Sequence, residues 1–243
     1  QKTAYEIYQC DWSSDVCSSD LFKSALGIAI APPYETYILY EVYITPGLLG
    51  MIQLFNGMQS SLSMVYDREM GSMRILLVSP LPRSFLVMSK LLAGTAVSIV
   101  QCYVFLAIAW WYGIEPPVMG YLWVLPALVV SGLMLGALGM LLSSFIKQLE
   151  NFAGVMNFVI FPMFFISSAL YPLWKLQESN EWLARLAEFN PFTKGVELIR
   201  FALYGQLETG ALYFTISALL LFLFIAIQGY NPSRGMMVKK RGR

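Results

Sequence analysis

The sequence predicts an all-α, polytopic membrane protein. Hydrophobic residues make up 57% and charged residues 13% of its 243 positions. Mean hydropathy is +0.60, and soluble domains are nearer roughly 45–50% apolar. Five apolar stretches are long enough to cross a bilayer, which takes roughly 20 residues of helix. Histidine is absent, which removes the commonest general base and metal ligand. Cys10, Cys17 and Cys102 lack both a disulfide framework and zinc-site spacing.

The first 21 residues are set apart. Gln1–Leu21 is polar, acidic and Ser-rich, with neither the basic start nor the apolar core of a signal peptide. Gln1–Ile7 and Asp11–Leu21 resemble the in-frame translation of two constant blocks of a short-read sequencing adapter, with Tyr8–Cys10 across the variable index. Residues 1–21 are therefore expected to be a non-native prefix, outside any fold reasoning. Without it the 16 basic and 15 acidic residues become 15 and 11, a net +4, and Cys102 is the remaining cysteine.

The five expected spans are Thr45–Val65, Leu91–Tyr112, Tyr121–Ile146, Phe152–Leu173 and Ala211–Gly229. None carries Asp, Glu, Lys or Arg, as expected when a charge at the bilayer centre costs upward of ~2.5 kcal/mol. That also weighs against an ion-coupled carrier, which needs buried carboxylates. Before the first span, Tyr34, Tyr37, Tyr40 and Tyr43 recur every third residue. An interfacial aromatic belt is the expected reading. In the third span, Gly132, Gly136 and Gly139 favour close helix packing. Gln53, Asn56, Gln59, Gln101 and Asn157 are polar groups within spans and need partners in lipid. Interhelical hydrogen bonds and a substrate pathway both fit them.

Basic residues set orientation. Arg68, Arg74, Arg83 and Lys90 follow the first span, and Arg234, Lys239, Lys240, Arg241 and Arg243 lie in the tail, whereas Gly113–Gly120 has none. The 66–90 loop and the tail are accordingly expected inside. The segment 174–206 lies outside by parity, despite Lys175, Arg185, Lys194 and Arg200. Five visible spans then leave 22–44 outside, and a missing first helix, six in the intact protein, is the simpler reading.

Within the 66–90 loop, Met70, Met73, Leu76 and Leu77 fall at near-helical spacing among Arg68, Glu69, Ser72 and Arg74. Pro80 and Pro82 close the segment. A docking helix and a solvated loop that merely obeys the charge rule both fit. In 174–206, Ser179 can cap a helix with Trp182, Leu183, Leu186 and Phe189 on one face, stopped by Asn190-Pro191. A second helix over about Thr193–Tyr204 ends at Gly205.

The order Tyr66-x-Arg68-Glu69-x-Gly71-Ser72, Leu76-Leu77-x-Ser79-Pro80, Lys90-Leu91 resembles the ABC-2 type exporter permeases. So does Asn190-Pro191-Phe192-Thr193 through Glu197 to Arg200. The resemblance covers about Ile44–Tyr230 and departs from the family in the missing first helix. It implies an ABC-2 transmembrane domain over 22–230, followed by a basic cytoplasmic tail over 231–243. It also implies that Arg68, Glu69, Gly71, Ser72, Arg74, Leu76 and Pro80 couple the chain to a separate ATP-binding subunit. Asn190, Pro191, Thr193, Glu197 and Arg200 would belong to an outer gate.

The sequence holds no Gly-x-x-x-x-Gly-Lys-Ser/Thr phosphate loop. ATP and Mg are thus expected on the partner, with no cofactor or metal on this chain and no enzymatic activity of its own. The implied assembly is a homodimer or a pair of permeases in membrane lipid, in a bacterial plasma (inner) membrane, without nucleic acid. The competing readings are a lipid-modifying membrane enzyme, using loop groups such as Glu197 with Arg200, and a non-transporting assembly subunit.

Overall fold

The structure, a computed structural model, describes residues 40–70, 83–114, 116–146, 148–170, 172–173 and 181–229. These form seven helices: α1 (Tyr40–Glu69), α2 (Arg83–Trp111), α3 (Val118–Phe145), α4 (Leu149–Phe165), α5 (Glu181–Phe189), α6 (Pro191–Leu203) and α7 (Thr209–Gly229). No strand occurs among the described residues. The adapter-like prefix, Tyr34, Tyr37, Ser179 and the tail lie outside them.

Among the described residues, three helices are long and apolar enough to cross a membrane: α2 from Ser84, α3 and α7. α1 is longer still, at 30 residues, but carries Gln53, Asn56 and Gln59 along its middle. α4 is apolar and only 17 residues long, about 26 Å at 1.5 Å per residue. It ends eight residues before the expected Leu173. Pro162 sits in its last turn. Beyond it, Ser167 Oγ donates to Phe164 O (2.5 Å) and accepts from Ala169 N (3.2 Å). Those local bonds turn the chain out of the helix.

α3 is the axis. In its most apolar 18 residues 61% of positions are buried, against 28% in α2 and 22% in α7, and it touches α1, α2, α6 and α7. Its glycines make that possible. A Cβ on Gly57 would come within 2.9 Å of Gly136 Cα, and one on Gly139 within 2.9 Å of Gly57 O. The backbones of α1 and α3 therefore meet without intervening side chains, as small residues permit in lipid. Leu54, Met58, Met134, Leu135, Ile160, Phe164, Phe192 and Val196 fill the main core, and Leu49, Cys102, Leu106, Val124, Leu128, Ile199 and Leu203 a second.

The helices alternate in direction. Asp67 pairs with Lys90, Glu69 reaches Leu149 and Gly229 abuts Ser144. The ends of α1, α3 and α7 and the starts of α2 and α4 thus share one end of the bundle, here called basal. Met70, Arg83 and Gly229, the described residues that flank the 71–82 loop and the tail, belong to this end. At the distal end, Trp110, Trp111, Tyr112, Trp123 and Tyr213 are exposed, the pattern of side chains at a membrane–water boundary. The apolar flanks of α2 and α7 (Val97, Val100, Val104; Leu220, Leu221, Phe224) are exposed as well, as suits a lipid-facing wall.

α5 and α6 depart from a simple bundle. Phe192, at the start of α6, packs with Leu54, Met134 and Leu135 at mid-depth of α3. Leu203, at its end, lies against Gly120 near the start of α3. α6 therefore enters the bundle about halfway and returns to the distal end. Gly205, at φ +72°, allows the reversal after it that a side chain would strain.

Candidate functional site

The polar residues predicted within the spans separate into two kinds. Gln53 is 1% exposed. Its Nε2 donates to Leu128 O (2.7 Å) and its Oε1 accepts from Ser131 Oγ (2.7 Å). Both bonds cross from α1 to α3, so Gln53 is an interhelical tie. Ser131, its partner, gave no signal in the sequence. Asn56, one turn further, donates to Gln101 Oε1 of α2 (2.6 Å) and to Ile52 O (2.9 Å). With Gln59 these two amides line an open groove of about 610 Å³ between α1 and α2, completed by Leu48, Met51, Phe55 and Phe105. Its lining is amide and apolar, without a charge. Asn157 is exposed on α4, away from this groove.

Where α6 enters the bundle, Asn190 joins two helices. It precedes α6, and its Oδ1 accepts from Phe192 N (3.0 Å). This is an N-cap, with Pro191 at the first helical position, where its missing N–H costs nothing. The other end of the same amide donates to Met163 O (2.7 Å) and Ile166 O (3.2 Å). It thereby satisfies carbonyls left open where α4 stops.

Arg200 is 4% exposed. Its NH2 group donates to Ser168 O (2.8 Å), and its guanidinium lies 4.1 Å from the centre of the Tyr43 ring. Tyr43 Oη donates to the same carbonyl at 2.8 Å. Tyr43 is 3% exposed, which corrects the interfacial reading at that position: its ring supports a buried cation and its hydroxyl shares that cation's acceptor. Thr193 is fully buried, and Glu197 pairs with Lys194 at 3.0 Å. The five residues expected at the outer gate therefore sit inside or against the bundle. α5, by contrast, keeps Trp182, Leu186 and Phe189 exposed, an apolar face fit for the membrane boundary.

At the basal end, Asp67 and Glu69 bond to other helices of the same chain. Asp67 Oδ2 pairs with Lys90 Nζ, which also lies 3.4 Å from Ser63 Oγ. Glu69 Oε2 accepts from the Leu149 backbone N–H (3.1 Å). Arg68 lies in α1. Gly71, Ser72, Arg74, Leu76 and Pro80 lie outside the described residues.

Residues 19–204 match the family described as ABC-2 type transporter. The chain belongs to that family. Among the similar proteins of this ABC-2 member is the "Probable multidrug ABC transporter permease YbhR" of Escherichia coli K12. It is 31% identical over 161 residues, covering 65% of this chain and 42% of the relative. Nodulation protein J of Rhizobium leguminosarum bv. viciae is 22% identical over 76% of this chain and 71% of its own length. The putative transport permease ycf38 of Porphyra purpurea is 27% identical over 67% and 55%. This ABC-2 chain thus spans less than half the length of YbhR. With its three membrane-capable helices it is an integral membrane protein.

Proposed function

We propose that this chain is the permease subunit of an ATP-driven exporter, working with a separate ATP-binding subunit that carries ATP and Mg. The observation that carries the reading is the α1–α2 groove. It places Asn56, Gln59 and Gln101 on an open face of the bundle. Asn56 and Gln101 bond to each other there, and in hydrocarbon any amide group left unsatisfied costs several kcal/mol. A second permease of the same or a related chain, facing this groove, would enclose a polar pathway between the two halves. The uncharged lining of amide and aromatic groups suits a small neutral amphiphile, in line with the multidrug name of the YbhR relative.

In this reading the basal end faces the cytoplasm of a bacterial cell across its plasma membrane, with the C-terminal tail inside. The 70–82 segment meets the ATP-binding subunit there, and α5–α6 close the distal exit. Affinity purification of the full-length protein from its native membrane tests the assembly. An ATP-binding subunit bearing a phosphate loop is expected to co-purify. Its absence from the preparation would remove the exporter reading.

A further inference from the structure

Asp67 and Glu69 occupy the last turn of α1, the end at which the helix macrodipole disfavours acids. Each is instead matched to another helix. Asp67 holds Lys90 of α2, and Ser60 Oγ donates to Lys90 O at 3.3 Å. Glu69 reaches 80 positions along the chain to Leu149 N, at 3.1 Å. Leu149 is the first residue of α4, and the residue before it, Gln148, makes no side-chain cap hydrogen bond. The Gln148 Oε1 is taken instead by Asn151 Nδ2 at 2.6 Å. α4 therefore draws its N-terminal cap from α1, where a carboxylate is favoured both as acceptor and by the dipole.

We propose that Glu69 is an internal positioning residue, which caps α4 and passes displacement at the basal end of α1 into that helix. This departs from its expected use as a contact with the ATP-binding subunit. It rests on the exporter reading only for the source of the displacement. The path beyond Glu69 is continuous. α4 runs without interruption from Leu149 to Phe165, its terminal carbonyls bind the Asn190 amide, and Asn190 starts α6. A shift at the basal end is thereby handed to the re-entrant helix at the distal end. Spatial continuity alone is not coupling, so the test reads coupling.

The first arm uses the purified full-length permease without any partner. Hydrogen exchange at the Leu149 amide is expected to accelerate roughly tenfold in Glu69→Ala, the loss of one charge-assisted hydrogen bond. Glu69→Gln keeps an acceptor and falls between. Unchanged exchange in Glu69→Ala overturns the cap. The second arm compares exchange across α4 and α6 with and without nucleotide in the complex with the ATP-binding subunit.

Glu69→Ala should abolish the nucleotide response while the subunits still co-purify. Leu149→Pro removes the donor by another route. Proline is accepted at a first helical position, and Gln148 is already extended (φ −108°, ψ 134°), as a residue before proline must be. It should reproduce the loss, and the double variant should add nothing further. A retained nucleotide response overturns the transmission, and loss of co-purification in Glu69→Ala returns the residue to the partner interface. Failure of the wild-type chain to bind any ATP-binding subunit removes the exporter reading and the transmission together, with the cap still decided by the first arm.

Discussion

Replacing Asn190 with alanine removes three hydrogen bonds through one side chain. The N-cap to Phe192 N is worth about 1 kcal/mol. The two bonds to Met163 O and Ile166 O leave carbonyls at a part-buried helix end, at about 1 kcal/mol each. The expected loss is about 3 kcal/mol, which for a chain of this size lowers the melting temperature by roughly 6–12 °C. Asn190→Asp separates the two functions. It preserves the cap acceptor but turns a carboxylate toward two carbonyl oxygens, so it should destabilise at least as much as alanine. Thermal unfolding of the purified protein in detergent, followed by circular dichroism, measures both. An alanine variant within roughly 2 °C of wild type, or an aspartate variant as stable as wild type, would refute Asn190 as the joint between α4 and α6.

Two further outcomes follow from the packing. Gly57→Ala should destabilise the bundle, because its Cβ would meet backbone atoms of Gly136 and Leu135 at 2.9–3.1 Å. Gly154→Ala meets nothing within 4 Å and should be neutral or raise stability by up to about 1 kcal/mol; equal melting shifts for the two variants would contradict the close α1–α3 approach. Gln53→Leu removes two interhelical hydrogen bonds, each worth about 0.6–1.7 kcal/mol in membranes, and should cost about 1–3 kcal/mol in the same melting assay. A larger collapse would mean that Gln53 holds more than Leu128 O and Ser131 Oγ.

The helical class and most element positions were legible because apolar length and glycine spacing are local properties of the chain. Gly132, Gly136 and Gly139 pointed to close packing, and the α6 boundary before Gly205 followed from its cap residues. The end of α4 was not legible. Phe165–Leu173 reads as apolar continuation, and its termination depends on Ser167 and on an amide 27 residues after Met163.

Tyr43 looked interfacial because tyrosines at a spacing of three carry no information about Arg200, whose side chain meets it only after α1 and α6 pack. Arg200 itself found a backbone carbonyl in place of a carboxylate, and any residue type could have supplied that acceptor. The sequence marked Glu69 as a contact for an ATP-binding subunit, whereas in the structure it bonds within its own chain. Its recipient, a backbone N–H 80 positions away, has no side-chain signature.

The central claim, an ATP-driven permease with its pathway in the α1–α2 groove, is tested most directly by transport. The full-length protein and its ATP-binding subunit, reconstituted in vesicles, should move a fluorescent neutral amphiphile only with hydrolysable ATP. Gln59→Leu, on the open face of the groove, should cut that rate severalfold while leaving subunit assembly intact. Movement that ignores ATP, or a rate that Gln59→Leu leaves unchanged together with Gln101→Leu, would contradict the account.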